Sequence, residues 1–360
     1  MKYLLSIVLG LLLALPAAAQ DSHPGLDFCL AKADELVTPD RTRDLTVAEH
    51  QAQMVQHGIN CATFFYKLSS ADNLRNPYAV PSQLYLERDY PLVITLLIDD
   101  GVSTVGASEG TDVSAGVPGL LARIIAPECS EANLIRLEDI GSKSPMPCFT
   151  TELRRLADKV ARHQQEVYIQ PFHEANGGWY QWGMCADNNS PELLVAAMQH
   201  VVGIFREAGA DNARFVMNWN RRGCDGVFED ADRYFAAIDE LVDAHSVSTY
   251  NRCGTAPRYD EERSFADDFA PAYERLIELT DKPIWIAETS TSGQCAARIP
   301  WFEEMFVDLT TRFPRVERVT FLLGDVAIGY ASNADPIYWG FQNDETQLDE
   351  FRTLIERYGR

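Results

Sequence analysis

VYIQPF (Val167–Phe172), SPELLVAAMQHVVGIFREA (Ser190–Ala208) and RFVMNW (Arg214–Trp219) follow one another along the chain. The first and third are short, mostly apolar and rich in β-branched or aromatic residues, as strands covered on both faces are. The middle run has apolar side chains three and four positions apart and opens on Ser190 and Pro191, a capping side chain followed by proline in the first turn of a helix. A strand, a crossover helix and a second strand form the repeating unit of a parallel sheet.

The unit recurs in both directions. Asn60–Phe65, Leu92–Ile98, Ser246–Tyr250, Pro283–Ala287 and Arg318–Leu323 read as further strands, and Thr151–Arg162, Asp230–Val242, Phe265–Leu279, Trp301–Arg312 and Asp349–Arg357 as helices. Asn60–Phe65 is then the first strand and Leu92–Ile98 the second. The missing third is placed between Gly116 and Ile140, at Leu134–Leu137, with Arg123–Ala126 as its rival. Eight parallel strands alternating with helices make an α/β protein of the (β/α)8 TIM-barrel type, one domain over residues 21–360. An open doubly wound sheet would carry a glycine-rich phosphate loop after its first strand, and this chain has none there. In a barrel, reactive side chains sit at the carboxyl ends of the strands.

Residues 1–20 have the pattern of an export signal: Lys2, an apolar run from Leu4 to Leu15, and the small residues Ala17–Ala19. The chain is therefore expected to be secreted or periplasmic, with no membrane association after cleavage. Its 360 residues carry a formal charge of −22. Such a surface repels phosphate backbones and anionic lipid, which excludes nucleic acid as a partner. Eight cysteines, an even number, suit disulfides in an exported chain. A nearest-neighbour scheme pairs Cys29–Cys61, Cys129–Cys148, Cys185–Cys224 and Cys253–Cys295, one of 105 possibilities. The last two bridges would pin loops on one face of the barrel.

Two strand ends carry glutamate. Val167–Phe172 runs into HEANGGWYQWG from His173, and Pro283–Ala287 runs into Glu288-Thr289-Ser290. As the fourth and seventh strands of a barrel, they bring both carboxyls to one mouth. Two carboxyls and no cofactor or metal suffice for glycoside hydrolysis: one protonates the leaving oxygen, the other attacks the sugar or activates water. A gap of ~5–5.5 Å means retention and ~6.5–9.5 Å inversion. Trp179, Tyr180 and Trp182 follow Glu174 and can face sugar rings. A zinc site of the HEXXH kind fails, because its second histidine would fall on Gly177.

PFHEANGGWYQWG (Pro171–Gly183) resembles the acid/base segment of glycoside hydrolase family 26, to which endo-β-1,4-mannanases belong, and KPIWIAETSTSG (Lys282–Gly293) resembles its nucleophile strand. The resemblance runs from Cys148 to Trp219 and resumes at the second segment. It implies a secreted retaining hydrolase of internal β-linkages, β-1,4-mannan first, with Glu174 as acid/base and Glu288 as nucleophile. It further implies that His173 binds sugar beside the scissile bond, that Trp179 stacks on sugar and that Tyr250 holds the nucleophile; Trp219 and Trp182 are placed to line the cleft. The family usually has arginine at the position of Gln170, so this amide would change the hydrogen bonds near the nucleophile or the adjoining sugar. The eighth strand lacks the tryptophan that often floors the cleavage site, and Trp339 could replace it from the following loop.

Each residue also has a plainer reading. His173 could be a hydrogen-bonded core histidine, the tryptophans could be packing, and Tyr250 could be a buried phenol with an ordinary partner. Asp99 and Asp100 read as solvated loop charges. Other β-glycans (xylan, mixed-linkage glucan or exopolysaccharide) are the alternative substrates, and a non-catalytic polysaccharide-binding protein on the same scaffold is the alternative function.

Overall fold

The computed structural model describes residues 25–32, 47–68, 92–98, 119–125, 149–186, 188–224, 226–255, 259, 261–323, 325–326, 337–341 and 344–360. Eight parallel strands close into a barrel in chain order: β1 (Asp27–Lys32), β2 (Cys61–Leu68), β3 (Leu92–Ile98), β4 (Val167–Gln170), β5 (Ala213–Asn220), β6 (Ala244–Asn251), β7 (Ile284–Thr291) and β8 (Val316–Phe321). The described helices are α1 (Val47–His57), α2 (Leu120–Ile124), α3 (Phe149–Ala161), α4 (Pro191–Glu207), α5 (Phe235–Asp239), α6 (Phe265–Leu279), α7 (Arg298–Thr311) and α8 (Glu345–Tyr358). As expected, α4 starts at Ser190, whose hydroxyl accepts the N–H of Leu193. The barrel is the (β/α)8 fold.

The missing strand is β1, ahead of the others. Asn60–Phe65 therefore belongs to β2 and Leu92–Ile98 to β3. β3 and β4 are neighbours in the barrel, Leu92–Thr95 pairing directly with Val167–Gln170. Arg123, from the rival segment, lies in α2, while Leu134–Leu137 falls outside the described residues, as do residues 1–20, Asp99, Asp100, Cys129 and Cys148. DFCLAK escapes a composition-based reading because only Phe28 and Leu30 are large and apolar in it. Both turn outward into the core: Phe28 packs edge-on against Phe306 of α7 and tilted against Phe321. The chain's end holds the strand in place, with Leu26 bonded to Tyr358 and Arg360 through their backbones.

Strand alternation divides the side chains between two compartments. Outward residues such as Phe215, Ile286 and Phe321 join the helices in the main core. Inward ones fill the barrel in layers. Near the amino-terminal end, the Arg318 guanidinium lies 4.4 Å from the Tyr168 ring and 4.2 Å from the Trp285 ring, with Asp27 at 3.3 Å. A charge inside a barrel is tolerated because two aromatic faces and a carboxylate surround it. Above this layer sits the Cys29–Cys61 disulfide, which joins register partners on β1 and β2.

Cys29 and Cys61 close a loop with a sequence separation of 32. Their joint replacement by alanine is expected to cost about 3–4 kcal/mol in urea unfolding, the loop-closure entropy that the bridge removes from the unfolded chain.

Candidate active site

Pro171 and Phe172 follow β4, and the chain then turns sharply into Glu174, whose φ of 48° lies in the left-handed region. That conformation is uncommon for a residue with a Cβ and persists where surrounding bonds hold it. Here β5 supplies them. The Glu174 N–H donates to Asn218 Oδ1 at 2.6 Å, and the Ala175 N–H donates to the Asn218 carbonyl. Asn176 grips Asn220 twice: its Oδ1 accepts the Asn220 N–H at 2.7 Å and its amide donates to the Asn220 carbonyl at 2.9 Å.

Thus held, the Glu174 carboxylate reaches the mouth of the barrel. Oε1 accepts the Asn220 amide at 2.7 Å and Oε2 accepts the Trp179 indole N–H at 2.7 Å. Trp179 is 39% exposed. The close approach depends on Gly177, where a Cβ would come within 2.6 Å of the Trp179 ring.

Glu288 is buried on β7, opposite Ser248 of β6. Its Oε2 accepts the Tyr250 hydroxyl at 2.7 Å and lies 3.6 Å from His173 Nε2. Burial pushes the Glu288 carboxyl up from its ordinary pKa; His173 and the Tyr250 hydroxyl pull it back, and the Glu174 charge adds to the rise. Tyr250 is pushed well above the ordinary phenol range, by burial first and then by the Glu288 charge, so it stays a donor. The Glu174 charge acts on both Glu288 and Tyr250, so the three side chains lie near one another. His173 is buried between the Phe65 and Tyr180 rings, at 5.6 and 5.4 Å, and its Nδ1 has no partner among the described residues. Trp339 is buried beside Tyr250, ring centroids 5.1 Å apart, held by Arg298 from α7 through its carbonyl.

Three residues named from the sequence make no bond to either glutamate among the described residues. Trp219 is fully buried on the outside of the barrel among Phe228, Tyr234 and Phe235, and its indole donates to His245 Nδ1. The period of two in β5 turns it toward the helices and gives the interior to its neighbours Asn218 and Asn220. Trp182 is a buried wall under the loop: it stacks on Tyr180 at 4.5 Å and donates to the His173 carbonyl. Gln170 lies within the barrel, donating to Thr95 Oγ1 at 3.1 Å and accepting the Ser246 hydroxyl at 3.2 Å, with no bond to Glu288. A neutral amide joins its hydroxyl neighbours there, where an arginine would need a counter-charge.

No motif in the sequence points to Asn176, whereas the alternation in MNWN signals Asn218 and Asn220. Apolar Met217 and Trp219 share one face of β5, leaving Asn218 and Asn220 on the other.

Cys185–Cys224 ties the loop after β4 to the loop after β5, and Cys253–Cys295 ties those after β6 and β7. With Cys29–Cys61, three bridges of the nearest-neighbour scheme are formed. The grouping of possible metal ligands among the described residues, Cys253, Glu262 and Cys295, has its sulfurs in that bridge, and Glu262 accepts the Ala296 and Ala297 N–H groups.

No family model matches the chain. Over 168 residues, 46% of this chain, it is 33% identical to Endoglucanase H of Acetivibrio thermocellus, and the match spans 18% of that relative. The fold is similar to a GH26 β-mannanase of Bacteroides ovatus, at 14% identity and a TM-score of 0.55, covering 92% of this chain and 88% of that one. It is also similar to an endo-β-1,4-mannanase double mutant of Cellulomonas fimi, at 15% identity and a TM-score of 0.58, covering 92% of this chain and 70% of that one. Fungal β-1,4-galactanase shares the fold at 10% identity and a TM-score of 0.59, over 91% of this chain and 99% of that one. At these identities the likeness speaks for the barrel, and it agrees with the family 26 resemblance of the two segments.

Burial of Glu288 makes a prediction for stability. A carboxyl with a raised folded-state pKa holds its proton longer in the folded than in the unfolded protein. Its contribution is therefore present below the ordinary carboxyl range and lost as pH rises through the folded value. The Glu288→Gln variant is expected to melt at a higher temperature than the wild type at pH 7, with the gap closing near pH 4, as read by calorimetry at both pH values.

Proposed function

We propose that the protein is a glycoside hydrolase acting on a β-linked polysaccharide, with Glu174 as acid/base and Glu288 as nucleophile of a double-displacement reaction. The observation that carries this reading is the unequal setting of two carboxyls in one barrel mouth. Glu174 is partly exposed beside a half-open tryptophan, while Glu288 is buried against a phenol donor and an imidazole.

Glu174, protonated, gives its proton to the glycosidic oxygen as the Glu288 carboxylate attacks the sugar carbon. The bond to the leaving sugar breaks, and its electron pair takes up that proton. Glu174, now a carboxylate, removes a proton from the water that releases the glycosyl–enzyme ester. The Tyr250 hydroxyl favours the ionised form of Glu288, against the cost of burial. Trp179, partly exposed, is placed to meet a sugar, and His173 lies beside the nucleophile, its Nε2 3.6 Å from Glu288 Oε2.

β-1,4-Mannan is the first substrate, on the family resemblance. A β-glucan is the second reading, favoured by the sequence match to an endoglucanase. Export to the periplasm or medium accords with the three bridges and with the leader-like start of the chain. No described helix is long and apolar enough to cross a membrane.

The test is a panel of soluble mannan, mixed-linkage glucan, xylan and acidic exopolysaccharide, assayed for new reducing ends with product sizing. Cleavage by the wild type, lost by about 100- to 10,000-fold in Glu174→Ala, is the expected outcome. Binding without cleavage across the panel would establish a non-catalytic protein instead. The acid limb of kcat/KM reports ionisation of Glu288 in the free enzyme. It should lie above the ordinary carboxyl range, and Tyr250→Phe should move it to still higher pH, because the lost hydroxyl bond favoured the charged form. A limb that moved down would refute the role given to Tyr250.

A further inference from the structure

Glu174 meets two N–H donors whose settings differ. Asn220 Nδ2 approaches Oε1 from a part-buried position, and Asn220 is itself fixed: Asn176 holds its backbone on both sides and its Oδ1 accepts the Arg222 N–H at 3.0 Å. Trp179 approaches Oε2 from the exposed side. In a protonated carboxyl group the carbonyl oxygen is the stronger acceptor and the hydroxyl oxygen the weaker one. A fixed donor on one oxygen therefore selects the other to carry the proton.

We propose that Asn220 is a positioning residue for the acid/base: by donating to Oε1 it keeps that atom as the carbonyl oxygen, so that the acid proton resides on Oε2, the oxygen on the exposed, sugar-facing side. The proposal rests on the hydrolase reading above and adds a residue and an atom to it. During bond cleavage the O–H bond at Oε2 breaks, the proton passes to the glycosidic oxygen, and that oxygen keeps the electron pair of the broken C–O bond. The carboxylate left behind is met by the N–H of Asn220 at Oε1 and that of Trp179 at Oε2. While the proton is on Oε2, Trp179 gives way, which its exposure allows; Asn220, locked by Asn176, does not.

The experiment is a double-mutant cycle on Glu174 and Asn220, read as kcat/KM on two substrates. One is the polysaccharide that the wild type cleaves, which needs protonation of its leaving oxygen. The other is a dinitrophenyl glycoside of its disaccharide unit, which does not. Asn220→Ala should lower kcat/KM on the polysaccharide by about tenfold to a hundredfold, the scale of a misplaced reacting group, and at least about tenfold more than on the aryl glycoside. In the Glu174→Ala background the same change should cost less than about twofold, because a residue acting through Glu174 has nothing left to act upon. Asn220→Asp keeps the shape and the acceptor for Arg222 while removing the donor, and it should reproduce the loss on polysaccharide if the alanine variant fails to fold. Equal losses on both substrates, or an undiminished loss in the Glu174→Ala background, would overturn the role of Asn220. A wild type that cleaves neither substrate would overturn the hydrolase reading itself and this one with it.

Discussion

The seam between β1 and β8 governs the molecule. Asp27–Leu30 pair in parallel with Arg318–Phe321, and this pairing turns an open sheet into a closed barrel. Closure leaves no strand edge and gives every strand one face toward the helices and one toward a narrow interior. The seam is secured on both sides. Outside it, Phe28 packs against Phe306 and Phe321; inside it, Arg318 reaches Asp27 while lying against Tyr168 and Trp285. With the ring closed, the ends of β4 and β7 must face each other across the opposite mouth, although many residues separate them in the chain.

At that mouth the two carboxyls are treated differently by their surroundings. Glu288 sits on a strand, buried, and its charge is answered by a phenol and an imidazole rather than by a guanidinium. Glu174 sits on a strained turn outside its strand, and its neighbours are amide and indole donors. At Glu288 burial disfavours the charged form, and the Tyr250 hydroxyl and His173 offset part of that cost. The strain at Glu174 is offset by bonds from β5, so the precise aim of one side chain depends on a neighbouring strand. The two disulfides at this end act in the same direction, joining the loop after β4 to that after β5 and the loop after β6 to that after β7.

Between the seam and the mouth the interior is polar. Gln170 bridges Thr95 and Ser246, Thr63 faces Thr320, and Asn218 donates to Ser248. Neutral hydroxyls and amides satisfy one another there without importing charge, and buried polar groups are tolerated on that condition. Gln170 belongs to this layer: it spends its amide on strand neighbours and leaves Glu288 to His173 and Tyr250.

The alternation of strands and helices, the two strand-end glutamates and three of the disulfide pairs were legible in the amino-acid sequence, because each depends on local pattern or on order along the chain, and a parallel barrel preserves that order in space. Tyr250 beside Glu288 was implied by the family resemblance alone. β1 was not legible, because DFCLAK has too little apolar weight to announce itself and becomes a strand only by pairing with β2 and β8. Nor were the destinations of Trp219, Trp182 and Gln170. Proximity to a strand end does not say which way a side chain turns, and the register of a closed barrel sends Trp219 to the helices and Gln170 to the interior. The sequence alone therefore determined the architecture and the placing of two glutamates at strand ends, while the tertiary structure decided the atoms that hold them, since hydrogen bonds between strands distant in the chain leave no periodic trace in it.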